Sequence, residues 1–390
     1  MLTFFETPKA VQAVALNFDL ARRLDDWASF RKVMASRVPD AFTRDEWAYL
    51  ITFLDHDHLQ AIFTQTFGHY LDAPGARRIE ALFRVRPRVS VWLPNNVSLL
   101  GPLVLIMISL GGATITLKAG SRSEDLCQAF LDYCRAQLPD SELRTYLSNQ
   151  VDVQRFSRVS PANRELAQAD VRIVFGSDAA VAAIDTLPHP AGSLLVPFAD
   201  HQSEAWAQVA ALNDAALLQL IKVFAIYGTT GCTSPRRLRL IDASEADCET
   251  VRQRLAALWP TAQRQDVAMN VASQNVASRQ ILAALGWAAE LAPRNAAVLA
   301  AGHAGLPEAS GAMTLSIVPC RREDLGQMLP ANIQTVGHVL LEPQSPAWLD
   351  LLAPTAVKRF VPVAAMHHFS PVWDGGNFWR SLFEQVDIAS

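Results

Sequence analysis

The sequence predicts an α/β protein in which a doubly wound sheet is followed by a second α/β domain. Three observations lead to this prediction. From about residue 81 onward, apolar segments of strand length alternate with segments of helix length. Short turns that contain glycine or serine separate these segments, as in sheets that bind ligands at their strand ends. The chain has 390 residues, which is enough for two domains that each bury a core.

The composition is that of a well-packed enzyme or of an oligomer with apolar interfaces. Half of the residues are hydrophobic and 18% are charged, which is unlike a disordered chain. The formal net charge of −4 gives no electrostatic basis for binding nucleic acid. We therefore expect a homo-oligomer and no nucleic-acid partner.

The cysteines indicate a reducing environment. Their number, five, is odd, they are scattered along the chain, and none forms a CxxC pair. Neither a disulfide framework nor a zinc or other metal site is therefore expected. The N-terminal segment "MLTFFETPKAVQ" lacks a basic region followed by an apolar core, so we expect no secretory signal and a cytoplasmic location.

One uncharged segment, residues 89–117, is long enough to span a bilayer. Pro94-Asn95-Asn96, Gly101-Pro102 and Gly111-Gly112 divide it into a strand, a loop, a buried helix and a second strand. We therefore predict no membrane span here. Instead "RVSVWLP", "GPLVLIMISLGG" and "ATITLKAG" form a βαβ unit.

The remaining segments continue this alternation. Residues 1–80 are predicted to be mostly helical. A helix with a capping box at Ser121 and Glu124 follows the βαβ unit, and "VRIVFGSDAAVAAI" predicts a strand, a turn at Gly176-Ser177 and a helix from Asp178. A helix buried on nearly every side ends at Gly228, and "AALWP", "ASRQILAALGW" and "MTLSIVPC" resume the alternation. These patterns divide the chain into residues 1–80, 81–209, 210–345 and 346–390, and the aromatic last segment is expected to close over a cleft.

Cys232 follows the buried helix, in the sequence "YGTTGCTSP". A single cysteine can be a small packing residue. This one, however, lies in a turn of small residues that can expose its side chain, and Arg236 and Arg237 are near enough in sequence to favour its thiolate. A nucleophile that attacks a carbonyl also needs oxyanion donors, and Asn96 in the loop after "RVSVWLP" can supply one, unless it only satisfies a turn.

These residues stand in an order that resembles the aldehyde dehydrogenase superfamily. Asn96 in "PNNVSLLG", Lys118 in "ITLKAGS", Gly176-Ser177 in "VFGS" and Cys232 have roughly the spacing of that superfamily. The segments "CTSP", "NIQTVGHVLL" and "KRFVPVAAMHHFSPVWDG" are most similar to the LuxC-type acyl-CoA reductases, the fatty acid reductases that supply aldehyde to bacterial luciferase. The resemblance covers roughly residues 80–390.

The resemblance implies an aldehyde dehydrogenase-like fold. Residues 81–209 would then be a Rossmann-type nicotinamide cofactor domain on which residues 1–80 pack. Residues 210–345 would be the catalytic domain with Cys232, and residues 346–390 would return to the cleft and the cofactor domain. By resemblance, Cys232 is the nucleophile and Asn96 the oxyanion donor. Lys118 contacts the adenosine ribose, and Gly176 and Ser177 meet the cofactor pyrophosphate.

Two departures from the superfamily pattern bear on function. Hydrolytic aldehyde dehydrogenases use a glutamate in a Glu-Leu-Gly-Gly segment to activate water, whereas this sequence has Pro197 near that position. The absence of a base suits a reductase whose acyl-enzyme must outlast attack by water. His201 lies nearby and is either a proton donor or a structural histidine. The glutamate that those enzymes carry in an "EIFGPV" segment is also missing. His367, His368 or Phe369 would then position the nicotinamide in its place.

The expected activity is NADPH-dependent reduction of an acyl thioester, either acyl-CoA or acyl-carrier protein, to an aldehyde. An oxidising, CoA-acylating aldehyde dehydrogenase and a non-redox acyltransferase or carrier-binding subunit are the alternatives. NADPH is favoured over NADH because Ser121 replaces the glutamate that NAD-preferring relatives place three residues after the lysine. Arg122 can add a bond to the 2′-phosphate, unless Ser121 serves only as a cap and Arg122 faces solvent.

Overall fold

The computed structural model describes residues 3–7, 10–15, 18–71, 81–120, 126–263, 266–302 and 311–387. They belong to two compact units, Met1–Ala199 with Phe369–Ser390, and Asp200–His368. The chain thus crosses between the units after Ala199 and again after His368, while the four-part division expected from the sequence stays a prediction. Among the described residues, no helix combines the length and the apolar character that crossing a membrane requires.

The strands alternate with helices over most of the described chain. The strands are β1 (Thr3–Thr7), β2 (Ala10–Ala15), β3 (Ala81–Val85), β4 (Arg88–Trp92), β5 (Thr114–Lys118), β6 (Val151–Gln154), β7 (Val171–Phe175), β8 (Leu194–Phe198), β9 (Gln202–Gln208), β10 (Pro235–Ile241), β11 (Ala288–Leu291), β12 (Val298–Ala301), β13 (Thr314–Cys320), β14 (Ile333–Val339), β15 (Arg359–Pro362), β16 (Val372–Trp373), β17 (Gly376–Asn377) and β18 (Phe383–Asp387).

The α-helices are α1 (Leu20–Met34), α2 (Arg44–Phe53), α3 (His56–Leu71), α4 (Leu100–Ser109), α5 (Leu126–Gln137), α6 (Glu142–Asn149), α7 (Ala162–Leu166), α8 (Asp178–Asp185), α9 (Asp214–Tyr227), α10 (Glu245–Ala262), α11 (Met269–Ala284) and α12 (Pro346–Leu352). Short 3₁₀ helices occupy Val209–Ala211, Gly228–Thr230, Pro293–Asn295, Arg322–Asp324, Val363–Ala365 and Trp379–Leu382.

The first unit is built on a five-stranded parallel sheet with the order β6-β5-β4-β7-β8. The chain moves from β4 outward to β6 and then returns to the other side of β4 with β7. A crevice at such a reversal, outside the carboxyl ends of the strands, is the usual ligand site of doubly wound sheets. The predicted βαβ unit is confirmed, because β4 and β5 pair in parallel and every residue of α4 between them is buried.

The N-terminal helices pack against this sheet unit. The indole of Trp27 in α1 donates a hydrogen bond to Ser109 Oγ at the end of α4, over 3.0 Å. The capping box of Thr43 and Glu46 starts α2, whose Trp47 is also buried. Residues 20–71 are therefore mostly helical, as predicted. The antiparallel pair β1 and β2 was not predicted, because a strand of five or six residues gives only a short period-two signal.

The C-terminal residues 369–387 belong to the first unit. Strands β16 and β17 form a hairpin in which Asp374 and Gly375 have φ of 48° and 79°. Positive φ at both central residues is typical of a two-residue hairpin turn. Strand β18 then pairs antiparallel with β3, with Phe383 opposite Val85. Trp373 therefore ends strand β16, and Asp374 is the first residue of the turn.

The second unit is built on a seven-stranded sheet with the order β11-β12-β13-β10-β9-β14-β15. All neighbours pair in parallel except β11 and β12. Strand β9, which was not predicted, lies between β10 and β14 and is buried from Ser203 to Ala207. A strand that is covered on both faces shows no alternation of polar and apolar residues, and Ser203 and Glu204 make this one look polar.

Helix α9 packs on the second sheet and ends where the sequence predicted. Its buried residues are Leu217, Leu220, Ile221, Val223 and Phe224. Ile226, expected to be buried, is 58% exposed, because the apolar residues continue around the helix beyond the face that the sheet covers. Gly228 caps the helix with φ of 53°. The mixed α/β architecture predicted from the sequence is therefore confirmed.

Candidate active site

Cys232 lies at the corner of a tight turn between α9 and β10. The backbone N–H of Ser234 donates to the Gly231 carbonyl over 3.0 Å, which places Cys232 and Thr233 at the two central positions of a four-residue turn. All five cysteines lie in the described part of the chain, and only Cys232 is not buried. The structure thus presents one accessible thiol, on a short turn anchored by a helix on one side and a sheet strand on the other.

Two glycines make this turn sterically possible. A Cβ atom at Gly228 would lie 2.4 Å from the carbonyl oxygen of Ala312, and its φ of 53° disfavours other residues. A Cβ atom at Gly231 would lie 2.9 Å from both Ser234 Oγ and Tyr227 Cβ. The pattern of small residues noted in the sequence therefore reflects the close passage of the chain beside its neighbours.

The backbone of Cys232 is held by the adjacent strands. The Ser203 hydroxyl in β9 donates to the Cys232 carbonyl oxygen over 2.6 Å. The same hydroxyl oxygen accepts from the Thr335 N–H in β14, over 3.3 Å. The backbone at Cys232 is therefore tied to strands β9 and β14.

The side chain next to Cys232 is held by a histidine from the far end of the unit. Thr233 Oγ1 lies 2.7 Å from His367 Nδ1, and His367 Nε2 lies 2.7 Å from the Val223 carbonyl oxygen in α9. A carbonyl oxygen only accepts, so Nε2 carries the proton and Nδ1 accepts from the Thr233 hydroxyl. Burial is the largest cause that lowers the pKa of His367 to about 4, so the imidazole is neutral at pH 7.

This lowered pKa predicts a pH dependence of stability. Between pH 6.5 and 4 the unfolded chain protonates His367 while the folded chain does not, so protonation favours unfolding and stability falls as the pH falls. On going from pH 7 to pH 5, we expect His367 to contribute a loss of about 1–2 kcal/mol. Urea unfolding of the wild type and of His367→Gln at both pH values measures it. An equal loss in both proteins would contradict the prediction.

Burial favours the neutral thiol at three of the other cysteines. Burial raises the pKa of Cys134 well above its usual value, raises that of Cys248 to about 11 and also raises that of Cys320. Cys127 and Cys134 both lie on α5 and are fully buried in its packed face. The thiolate is the nucleophilic form, so these sites are unsuited to covalent catalysis.

The glutamate nearest to the missing base in sequence forms an ion pair with two arginines. Glu204 in β9 accepts from Arg237 Nη1 over 2.9 Å and from Arg239 Nε over 2.6 Å, both in β10. Its side chain is 3% exposed. Burial lowers the pKa of Arg237, but this pair of guanidinium groups still occupies both carboxylate oxygens. Glu204 is therefore a structural link between two central strands.

His201 precedes β9, and Cys232 precedes β10. Because these strands are parallel neighbours, with Ser203 opposite Pro235, the two residues lie at the same edge of the second sheet. Phe369, proposed as one of three residues that position the nicotinamide, is 2% exposed and packs against Trp373 with ring centroids 5.1 Å apart. It is a packing residue of the first unit.

The remaining predicted site residues gather at one edge of the first sheet. Asn96 follows β4, Lys118 ends β5, and Gly176 and Ser177 follow β7. These are three adjacent parallel strands, with Trp92 opposite both Lys118 and Val174. The three segments therefore share the carboxyl edge, at the reversal of strand order. Asn96 belongs to the first unit and Cys232 to the second, and the assignment of Asn96 as oxyanion donor stays a prediction.

The local geometry at this edge suits a dinucleotide. Ser177 caps α8 by accepting from the Ala180 N–H over 3.2 Å, which opens the helix directly after β7. A Cβ atom at Gly176 would lie 3.1 Å from Ala180 Cβ, so the glycine allows close packing of strand and helix. The Lys118 ammonium is 8% exposed and donates to the Ala119 carbonyl over 3.2 Å. Ser121 and Arg122 lie outside the described residues.

The sequence did not indicate Ser203 or Thr233 as site residues, and it indicated His367 only as one of three candidates to position the nicotinamide. Thr233 and His367 are 134 positions apart, and Ser203 lies 29 positions from Cys232. No local motif reports such contacts. The one signal was the unusual "MHHFSPV" segment, which we assigned to the nicotinamide.

Comparisons with known proteins identify the family. A family model described as acyl-CoA reductase (LuxC) matches residues 16–383. No curated protein matches the chain significantly. Among solved structures, aldehyde dehydrogenase from Bartonella henselae is 12% identical, with a TM-score of 0.62 over 95% of this chain and 87% of that one.

Two further solved structures agree. NAD-dependent aldehyde dehydrogenase from Sinorhizobium meliloti is 13% identical, with a TM-score of 0.63 over 95% of this chain and 82% of that one. An indole-3-acetaldehyde dehydrogenase from P. syringae, solved with NAD+ and IAA, is 10% identical, with a TM-score of 0.61 over 95% of this chain and 85% of that one. These likenesses confirm the aldehyde dehydrogenase-like fold. Because the family model spans nearly the whole chain, the protein is an oxidoreductase that belongs to the LuxC family of acyl-CoA reductases.

Proposed function

We propose that this protein reduces an acyl thioester to an aldehyde through an acyl-cysteine on Cys232, with NADPH as the reductant. The observation that carries the proposal is the turn at Cys232. It holds the one cysteine that is not buried, and its backbone is tied to β9. Such a fixed and accessible thiol is what nucleophilic attack on a carbonyl requires.

The first step transfers the acyl group to the enzyme. The Cys232 thiolate attacks the thioester carbonyl, and the carbonyl oxygen becomes an oxyanion that Asn96 and a backbone N–H stabilise. The tetrahedral intermediate then expels the thiolate of coenzyme A or of a carrier protein. One carbon–sulfur bond forms and another breaks, so no oxidant or reductant is needed.

The second step releases the aldehyde. The hydride that a nicotinamide cofactor would supply when bound adds to the carbonyl carbon of the acyl-cysteine and leaves the carbonyl oxygen as a hemithioacetal alkoxide. The hemithioacetal collapses as its carbon–sulfur bond breaks, and the sulfur leaves as the Cys232 thiolate. Collapse of the alkoxide needs no base; a proton donor, for which His201 is the candidate, would protonate the thiolate that leaves in the first step.

The surroundings of Glu204 support reduction over hydrolysis. In this region of the chain, Pro197 stands near the position of the hydrolytic glutamate, and both Glu204 oxygens accept bonds from arginines. A carboxylate held in this way is a poor base for water. An acyl-enzyme on Cys232 would therefore persist until hydride arrives.

The carboxyl edge of the first sheet is the proposed cofactor site. Gly176 and Ser177 would meet the pyrophosphate at the start of α8, where helix N–H groups and the dipole favour an anion. Lys118 would contact the adenosine ribose from the end of β5. The close fit of Gly176 against Ala180 supports this role, because a larger residue would separate strand from helix.

Asn96→Ala is expected to lower kcat by about 10²- to 10³-fold, the usual cost of losing one of two oxyanion donors. Aldehyde formation from an acyl-CoA at saturating cofactor measures this effect. Asn95→Ala, which changes the neighbouring residue of the same loop, is the matched control and should keep most of the activity. A loss below threefold in Asn96→Ala would restrict Asn96 to a role in the turn.

NADPH is expected to give a higher kcat/KM than NADH, and to bind more tightly. Ser121→Glu should reverse this preference, because its carboxylate would repel the 2′-phosphate and accept bonds from the ribose hydroxyls. Quenching of protein fluorescence by each cofactor measures binding without turnover. A native preference for NADH, or unchanged NADPH binding in the variant, would show that this loop does not read the phosphate.

The proposed activity is tested by mixing the protein with an acyl-CoA and NADPH. We expect NADPH consumption and a stoichiometric amount of aldehyde, with free coenzyme A as the second product. Acyl-CoAs of short, medium and long chains, and one acyl-carrier protein, define the substrate. Two results would contradict the proposal. Oxidation of the aldehyde with no detectable reduction of the thioester would favour an oxidising aldehyde dehydrogenase. Acyl exchange without NADPH consumption would favour a non-redox acyltransferase.

A further inference from the structure

We infer that His367 is a positioning residue for the catalytic turn: it fixes the Thr233 hydroxyl, and through Thr233 it holds Cys232 in the geometry for attack. This inference rests on the proposed role of Cys232 as the nucleophile. It assigns His367 to the thiol and not to the nicotinamide, which the sequence had suggested. Thr233 is the residue directly after Cys232, and its side chain is 6% exposed.

The imidazole of His367 donates one hydrogen bond and accepts another. Its Nε2–H donates to the Val223 carbonyl, and its Nδ1 accepts from the Thr233 hydroxyl, each over 2.7 Å. An imidazolium would donate from both nitrogens and would force the Thr233 hydroxyl to turn its proton away. The neutral tautomer is therefore the one that connects helix α9, which precedes the turn, to the turn itself.

Neighbouring groups hold the ring in this state. Tyr227, the last residue of α9, packs against the imidazole with ring centroids 5.3 Å apart at an angle of 77°. Arg359 in β15 donates to the carbonyl oxygens of Met366 and His368, both over 3.0 Å, and thereby clamps the residues on either side of His367. The positive charge of Arg359 and the neighbouring His368 also disfavour a second proton on the ring.

The contacts of Cys232 explain how the bond between Thr233 and His367 can affect attack by the thiol. Its carbonyl oxygen is anchored by Ser203 on one side, and the next residue is anchored by His367 on the other. If the Thr233 anchor is lost, the turn loses its side-chain connection to His367, and Cys232 can shift. A displacement of about 1 Å at a reacting atom can cost about 100-fold in rate. Loss of the bond should therefore lower kcat while leaving KM for both substrates unchanged.

Two variants remove the bond with little change in shape. The first, Thr233→Val, replaces the hydroxyl with a methyl group; Thr233→Ser, which keeps a hydroxyl, is its conservative control. His367→Gln can still donate to the Val223 carbonyl but places no acceptor where Nδ1 lies. We expect Thr233→Val and His367→Gln each to lower kcat by about 10- to 100-fold. Thr233→Ser should recover most of the loss, and the double variant should lose no more than the stronger single variant.

A second measurement is independent of substrate and cofactor. The rate constant for alkylation of Cys232 by iodoacetamide should differ at least threefold between wild type and Thr233→Val. Thr250→Val is the control, because its hydroxyl also bonds a carbonyl, that of Ala246 in α10, yet lies away from the turn. It should change neither kcat nor the alkylation rate.

The outcomes separate the two proposals. Thr233→Val with kcat and alkylation rate within twofold of the wild type would overturn the role of His367, whether or not His367→Gln folds. So would fully additive losses in the double variant. If the wild type forms no aldehyde, the proposed function fails, but the alkylation rates still decide whether the His367–Thr233 bond sets the reactivity of Cys232.

Discussion

Cys232→Ala is expected to abolish both acyl transfer to the protein and aldehyde formation. Among the five cysteines, Cys232 is the one that is not buried, and no other described thiol is placed to replace it. Alanine removes a single heavy atom from a residue at the corner of a turn, so the fold should be kept. Circular dichroism and thermal unfolding check the fold, while NADPH consumption with an acyl-CoA checks activity.

The buried cysteines provide matched controls for this substitution. Cys134→Ala and Cys248→Ala remove the same atom from buried positions of helices α5 and α10, and each should keep most of the activity. Their cost is expected in stability, because each leaves a small cavity in a packed core. Acyl labelling that persists on Cys232→Ala, or its loss in either control, would assign the nucleophile to a different residue.

Glu204→Ala is expected to destabilise the protein by about 3–5 kcal/mol, the usual cost of removing one partner of a buried ion pair. The substitution leaves the Arg239 guanidinium, 2% exposed, without its carboxylate between two central strands. Arg237 is 24% exposed and can turn toward solvent, so Arg239 carries most of the penalty. Urea unfolding at pH 7 measures the change in the free energy of unfolding.

Two comparisons separate the buried charge from other effects. Glu323→Ala removes a carboxylate that is 69% exposed and pairs with Arg321, and it should cost less than about 1 kcal/mol. The double variant Glu204→Leu/Arg239→Met removes both buried charges and should recover much of the stability lost in Glu204→Ala. A loss below about 1 kcal/mol in Glu204→Ala would mean that Arg239 finds another partner.

Much of the first unit followed from local patterns in the sequence. The glycines and prolines within residues 89–117 divided the apolar segment correctly into β4, α4 and β5, because each acts on the backbone at its own position. Gly176 and Ser177 marked the start of α8 for the same reason. The carboxyl-edge cluster then followed from topology, since parallel strands end on one side of a sheet.

The missed features depend on distant parts of the chain. Strand β9 is polar at Ser203 and Glu204 because those side chains bond to Cys232 and to two arginines of β10, contacts that no local pattern reports. The exposure of Ile226 depends on which face of α9 the sheet covers. The bond between His367 and Thr233 could not be predicted either, because the two residues are 134 positions apart in the chain.

The central claim is that Cys232 carries the acyl group, and the mass of the intact protein tests it most directly. The protein is incubated with an acyl-CoA in the absence of reductant, and its mass is measured before and after NADPH is added. We predict a gain of one acyl group, located by peptide mapping on Cys232, which disappears on addition of NADPH as free aldehyde forms. No adduct, an adduct on another residue, or an adduct released as free acid instead of aldehyde would contradict the account.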